Sequence, residues 1–389
     1  MEIKRPPRLV AFDTEVFDTN NFNYKSTSFQ TLVKFVKEKK IKLLLTSITL
    51  QEIRAHITEG ADLASKAVNQ AVNDLKKKRK KPSENEKRIK ISKNSDLLYE
   101  FEKKFADMAP TFEQINPELK DQLDSFLQAT EFERIEVDQV SVVEIFEKYF
   151  SGTPPFGESN KKHEFPDAFA LFALDKEAKN RKKTIYVVSG DSDWEKFCSL
   201  SENLHCIGKL DELLETISRE NDSDKVDVWY ELYRQKEYQI ERYIEDNFSN
   251  LDFSIDISGS GEIESGSETI KIDVNSVDIT DSSLVYINDS NVDQPSVVFK
   301  LEAKVNYDAN ISFESLKDAI YYGKYYFDET TTINKLCTQS INFDVEVTLT
   351  LYRDKDYSLD DADIKNITID PNNTLGEIIV NTGLKDYYY

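Results

Sequence analysis

SFQTLVKFVKEKKIKLLLTSITLQEIRAHI, residues 28–57, decides the fold of the first half of the chain. Phe29, Leu32, Val33 and Val36 recur at the three- and four-residue intervals that place side chains on one face of a helix. IKLLLT (41–46) is an unbroken apolar run of strand length, and SITLQEI reopens with hydroxyl residues suited to capping a second helix. Working outward, RLVAF (8–12), TIYVVS (184–189) and LHCIG (204–208) read as further short strands. EFPDAFALFAL reads as a helix with Pro166 suited to its first position. Strands alternating with helices imply a parallel sheet, an α/β domain flanked by helices.

The pattern changes further along. Residues 219–249 read as one charged helix, a linker with Val228, Leu232 and Tyr233 as contact residues. Beyond it, ETIKIDVNSVDI, SVVFKLEAKVNY and INFDVEVTLTLY alternate apolar with polar residues, the period of a half-buried strand. The expectation is an antiparallel β domain, a sandwich or a sheet with one helix near 312–322. The tyrosine-rich YYGKYYF (321–327) is expected to pack its core. The predicted organisation is an α/β domain over 1–218 with a mostly helical insertion at about 61–131, a helical linker over 219–249, and an acidic β-rich domain over 250–389. A length of 389 residues fits that division, because it exceeds the reach of one hydrophobic core.

Charge separates the same regions. The net charge of -22 would weigh against a nucleic-acid partner if it were evenly spread. From Arg219 onward, however, 15 Lys and Arg face 35 Asp and Glu, which leaves 35 against 37 in residues 1–218. The acidic C-terminal region suits a protein partner or self-association better than a phosphate backbone. No apolar run approaches a membrane span and the N-terminus lacks an apolar leader core, so a cytoplasmic address and no membrane are expected. Cys198, Cys206 and Cys337 have no paired spacing and read as buried free thiols.

In a parallel α/β sheet the C-terminal ends of strands and the N-terminal ends of helices lie on one side. Asp13 and Asp191 follow strands, and Glu52 and Asp167 open helices, so four carboxylates distant in sequence are expected at one edge. Clustered carboxylates repel unless a divalent cation neutralises them, and oxygen-only ligands favour Mg2+ or Mn2+. Such ions lower the pKa of a bound water and stabilise a phosphate in in-line displacement, which points to phosphodiester hydrolysis. Singly, each acid reads as a helix cap or dipole partner; the ordered set is what points to a site. Asp193 is either a fifth metal ligand or the cap of the helix beginning near Trp194. Lys161 and Lys162 either steer a phosphate or are simply solvated. Thr14 and Ser189 either hold the neighbouring acids or end their strands. The basic run KKKRKKP (76–82) is a cationic arm or a solvated helix end. A haloacid-dehalogenase-like phosphatase would need a second Asp two residues after the first, where this chain has Glu15.

AFDTEVF around Asp13, TSITLQEI around Glu52, KKHEFPDAFAL around Asp167 and VVSGDSDW around Asp191 together resemble the four acidic motifs of PIN-like nucleases, in the same order, over roughly residues 8–218. The third motif is similar to that of a bacterial group reading EFPDA. The resemblance implies a metal-dependent endonuclease, most often acting on RNA, with Asp13, Glu52, Asp167 and Asp191 as the metal-binding acids and Asp193 as an optional fifth. Single-stranded RNA is the favoured substrate, in a stress-response or phage-defence setting. The alternatives are a non-catalytic PIN-like scaffold whose β domain mediates protein interaction, and a structure-selective DNA nuclease using the long insertion as a strand gate.

Overall fold

The computed structural model describes residues 6–80, 112–157, 162–221, 223–251, 253, 255–258, 269–288, 294–315, 321–322, 325–326, 331–351, 362–369 and 378–381. The chain divides into two compact units, Met1–Leu213 and Leu214–Tyr389.

The first unit is built on five parallel strands: β1 (Arg8–Phe12), β2 (Ile41–Thr46), β3 (Glu133–Ile135), β4 (Ile185–Val188) and β5 (Leu204–Ile207). Their order is β3-β2-β1-β4-β5. The chain thus winds one way from β1 through β2 to β3 and returns to the other side of β1 with β4, leaving a switch point between β1 and β4. In such sheets the crevice outside the carboxyl ends of the strands at the switch point is where ligands bind. The apolar runs of β1, β2 and β4 follow from burial on both faces: Val10, Leu43, Leu44, Leu45, Val187 and Val188 are fully enclosed.

The helices are α1 (Glu15–Thr19), α2 (Thr27–Lys37), α3 (Ser47–Lys80), α4 (Phe112–Ala129), α5 (Val142–Ser151), α6 (Phe165–Arg181), α7 (Ser192–Leu200) and α8 (Leu210–Asn221). The expected stripe on α2 is buried in full, joined by Phe35. Helix α3 starts where the hydroxyls predict: the Thr46 hydroxyl accepts from the Thr49 N–H at 3.0 Å, satisfying a first-turn donor. Pro166 occupies the second rather than the first position of α6, still where no intrahelical bond is lost. Strand β3 and helix α5 have no counterpart in the sequence reading; β3 is three residues long and shows no period. Within the predicted insertion, α3 and α4 are helical. Of the basic run 76–82, residues 76–80 continue the backbone of α3, while its side chains and residues 81–82 lie outside the described residues.

The second unit carries α9 (Ser223–Phe248) and strands β6 (Ile255–Ser258), β7 (Thr269–Asn288), β8 (Ser296–Ser315), β9 (Tyr321–Tyr322), β10 (Tyr325–Tyr326), β11 (Thr331–Leu351), β12 (Ala362–Ile369) and β13 (Ile378–Asn381). Its main sheet is antiparallel in the order β12-β11-β8-β7. Period-two alternation is explicit on β8, where Val297, Phe299, Leu301, Ala303, Val305, Tyr307, Ala309 and Ile311 are all buried. Phe299 sits opposite Val347, and Leu301 opposite Val345. Trp229, Leu232, Tyr233, Ile240, Ile244 and Phe248 of α9 belong to the same core. The segment expected as a linker therefore supplies a helix to the second unit, and among the described residues the main sheet packs on that helix. Of the helix expected near 312–322, residues 312–315 instead complete β8 and Tyr321–Tyr322 pairs with Tyr325–Tyr326 as a two-residue antiparallel ladder, while residues 316–320 lie outside the described residues.

Candidate active site

Strands β1 and β4 deliver their next residues to the switch point. Asp13 follows β1 directly and is buried, 7% exposed. From the end of β4, the Ser189 hydroxyl donates to Asp13 Oδ2 at 2.6 Å and accepts the Asp191 N–H at 3.1 Å. One serine thus ties the two strand ends together. Thr14, buried beside Asp13, donates its hydroxyl to Glu52 Oε2 at 2.9 Å, which fixes the second turn of α3 against the end of β1. The supporting roles open for Thr14 and Ser189 in the sequence are the ones they occupy.

Asp167 lies in the first turn of α6, and its Oδ1 accepts the Trp194 Nε1–H from α7 at 3.0 Å. Burial is the largest influence on this carboxyl and raises its pKa to about 8; the Trp194 bond opposes the shift, and the charges of Asp13, Glu52 and Glu164 add to it. Asp13 is pushed up to about 6, again first by burial, with Ser189 and nearby backbone N–H groups opposing and Glu15 adding. Asp13 and Glu52 therefore lie close enough to Asp167 to disfavour its charge.

The other expected residues are placed differently. Asp191 is the N-cap of α7, accepting the Asp193 N–H at 2.6 Å. It joins the cluster through Ser189, and it, not Asp193, caps the helix. The buried Asp193 carboxylate receives Lys196 Nζ at 2.9 Å, so its charge is answered by a cation from its own helix. Lys161 lies outside the described residues, as does the side chain of Lys162, whose backbone enters the turn Lys162–Glu164. His163 is exposed.

Two participants escaped the sequence reading. Glu15 accepts the Gly190 N–H at 2.9 Å and so adds a second bridge between the ends of β1 and β4. Gly190 permits the approach, since a Cβ there would lie 3.2 Å from both Glu15 oxygens. Trp194 is a core residue, 2% exposed, whose indole N–H reaches the site. A Trp three residues after a motif acid carries no signal for that second role.

Among the described residues, no three His, Cys, Asp or Glu side chains are gathered into a ready metal cage. The donor chemistry nonetheless fits a hard divalent cation: the acids are all oxygen donors, and two have pKa values raised first by burial and further by neighbouring carboxylates. Among the described residues no helix is long and apolar enough to cross a membrane.

At the carboxyl ends of β1 and β4, Asp13, Glu52 and Asp167 lie near one another, with Asp191 linked to Asp13 through Ser189, and this arrangement defines the class. Residues 10–194 match the family model described as a PIN domain, and this part of the chain is a PIN-like domain, of nuclease type. PIN domains as a class are typically nucleases and generally use divalent metal ions. Neither a curated protein nor a solved structure matches the chain.

Proposed function

We propose that the N-terminal unit is a divalent-metal-dependent endonuclease that hydrolyses phosphodiester bonds in single-stranded RNA. Asp13, Glu52, Asp167 and Asp191 are its metal-binding acids, with Asp193 at the margin. The observation that carries the reading is Asp167, whose carboxyl is driven up to about 8 by burial and by Asp13 and Glu52. A fold has no stability reason to bury mutually repelling acids at a ligand crevice, and cation binding supplies one. Mg2+ or Mn2+ held there would neutralise the phosphate and acidify a water for in-line attack.

The chain's own residues set the geometry. Ser189 orients Asp13 together with the backbone N–H groups of Thr14 and Glu15, Thr14 orients Glu52 and Trp194 orients Asp167, each through a directed hydrogen bond to a carboxylate oxygen. Asp193, already paired with Lys196, contributes less charge to a cation than the other acids. Lys161 and Lys162, just before the third motif in sequence, would steer the phosphate. RNA is preferred over DNA on the family's habit. The acidic second unit serves a protein partner or self-association, in stress response or phage defence.

The test is cleavage of labelled single-stranded RNA and DNA with Mg2+, Mn2+ or EDTA, beside an Asp13→Asn, Asp191→Asn double variant. Metal-dependent cutting of RNA that the double variant lacks supports the reading. Absence of cutting on either strand, with Mn2+ protecting wild type and variant equally against thermal unfolding, sinks it in favour of a scaffold. Preference for flapped DNA over single-stranded RNA would mark a structure-selective DNA nuclease.

A further inference from the structure

Cys198 and Cys206 show no paired spacing in the sequence, and the fold brings them together. Cys198 stands in the last turn of α7 and Cys206 on β5, at the edge of the five-stranded sheet. Trp194, Phe197 and Cys198 share a core with Leu204, and Cys206 packs against it, so the helix lies on the strand where the thiols are. There the Cys198 S–H donates to the Cys206 sulfur. The third cysteine, Cys337, lies on β11 of the second unit.

The two thiols differ in access and in charge. Cys198 is buried and Cys206 half-buried, so a small polar oxidant meets Cys206 first. The bond between them is the largest influence on both, holding the Cys206 thiol below its ordinary range and lifting Cys198, which burial lifts further. A partly open sulfur favoured as thiolate and backed by a second sulfur is an arrangement suited to reversible oxidation. The Cys206 thiolate attacks one oxygen of hydrogen peroxide and the O–O bond breaks, giving a sulfenic acid and a hydroxide that takes up the proton Cys206 released. The Cys198 sulfur then displaces the hydroxyl from Cys206 Sγ, and its own proton leaves with that hydroxyl as water. Two thiols and one peroxide become one disulfide and two waters.

This pair adjoins the acids. The Cys206 S–H donates to the Ser189 carbonyl at 3.7 Å, and the Ser189 hydroxyl holds both Asp13 and Asp191. A disulfide deletes that S–H, and its S–S bond of about 2.05 Å draws α7 and β5 together at the sulfurs. Helix α7 begins at the Asp191 cap and carries the Trp194 indole that holds Asp167. We propose that Cys206 and Cys198 are a peroxide-oxidised dithiol that closes reversibly into a disulfide and, through Ser189 and α7, weakens the hold of the acids on a divalent cation. The disulfide stands on the thiol geometry alone, whereas its effect on the cation rests on the nuclease reading.

The experiment treats the full chain with hydrogen peroxide, removes the peroxide, blocks remaining thiols with an alkylating maleimide and digests with trypsin. Cleavage after Lys196 and Lys209 releases both cysteines in one peptide, residues 197–209. That peptide is expected to be two hydrogen atoms lighter than its reduced form and free of maleimide, and to regain both thiols after a dithiol reductant. Mn2+ affinity of the same oxidised sample, read by electron paramagnetic resonance, should fall roughly tenfold and recover on reduction. Cys198→Ser and Cys198→Ala, two replacements in case one packs poorly, should each abolish the lighter peptide and keep the Mn2+ affinity within about twofold under the same treatment. Cys337→Ser should behave as the unsubstituted chain does.

A peptide 197–209 that stays open to maleimide on both sulfurs, or that gains oxygen atoms without losing hydrogen, overturns the proposal. So does a disulfide that leaves Mn2+ affinity unchanged, or a fall in affinity that persists in the Cys198 variants. A lighter, reducible peptide on a chain that binds no Mn2+ even when reduced upholds the dithiol and defeats the nuclease reading.

Discussion

Acidic residues occupy the two units in opposite ways. At the switch point of the first unit, Asp13 and Asp167 are withdrawn from water and raised in pKa by burial and by their neighbours' charge. On the main sheet of the second unit the acids stand on the polar side of the alternation and are answered across or along strands. Asp273 receives Lys271 and Asn310, and Asp308 receives Thr338. Both arrangements add negative charge to the chain. Among the described residues the first concentrates it where water is scarce, so what marks a site is the cost of each carboxylate's place and not the number of carboxylates.

Substitution in each region should break the symmetry most sharply. Asp167→Asn is expected to lower RNA cleavage by roughly two to three orders of magnitude, the scale seen when one group that stabilises transition-state charge is lost. Asp273→Asn with Asp308→Asn should leave the rate within about twofold. Initial rates under saturating Mg2+ read both.

A tenfold effect is expected from a residue that touches no substrate. Trp194→Phe keeps the ring's packing but removes the indole N–H from Asp167, leaving that carboxyl still less willing to ionise. Mn2+ affinity should fall roughly tenfold with little change in fold, measured by calorimetric titration and thermal melting.

The pH dependence sharpens the contrast further. Asp167 is near 8 in the folded chain against an ordinary 3.8, so between those values the folded state holds more protons than the unfolded one. Its ionisation opposes folding: stability is full below about pH 4 and declines as pH rises towards 8, with Asp13 contributing between about 4 and 6. Denaturant melts in EDTA should show this decline, Asp167→Asn should flatten it, and Mn2+ should reverse it, since cation and proton compete for the same oxygens.

The smallest effect belongs to Gly190→Ala. The new methyl would press on Glu15 at 3.2 Å, and the flexible carboxylate can give way. A stability change of about 0.5 kcal/mol or less is expected in denaturant melts, with cleavage reduced no more than a few-fold.

Much of this was legible in the residues themselves. The doubly buried strands advertise themselves as apolar runs, and Asp13 and Asp191 are placed by the strand ends they follow. The alternation on β8 likewise announces its sheet. What was not legible depended on tertiary contact. Strand β3 is too short for a period. The face of α9 that joins the second unit's core is spread among charged residues such as Glu231, Arg234 and Glu237, so the helix reads as a solvated connector. The Trp194 bond to Asp167 and the Glu15 bridge to Gly190 each join side chains from separate elements, and no local pattern encodes them.

The account rests on a cation bound by the buried acids, and a Mn2+ titration of the full chain followed by electron paramagnetic resonance tests it most directly. One or two ions bound per chain, lost or weakened at least tenfold in Asp167→Asn and unchanged in the Asp273→Asn, Asp308→Asn chain, is the predicted result. Equal Mn2+ binding by the wild type and Asp167→Asn would contradict it.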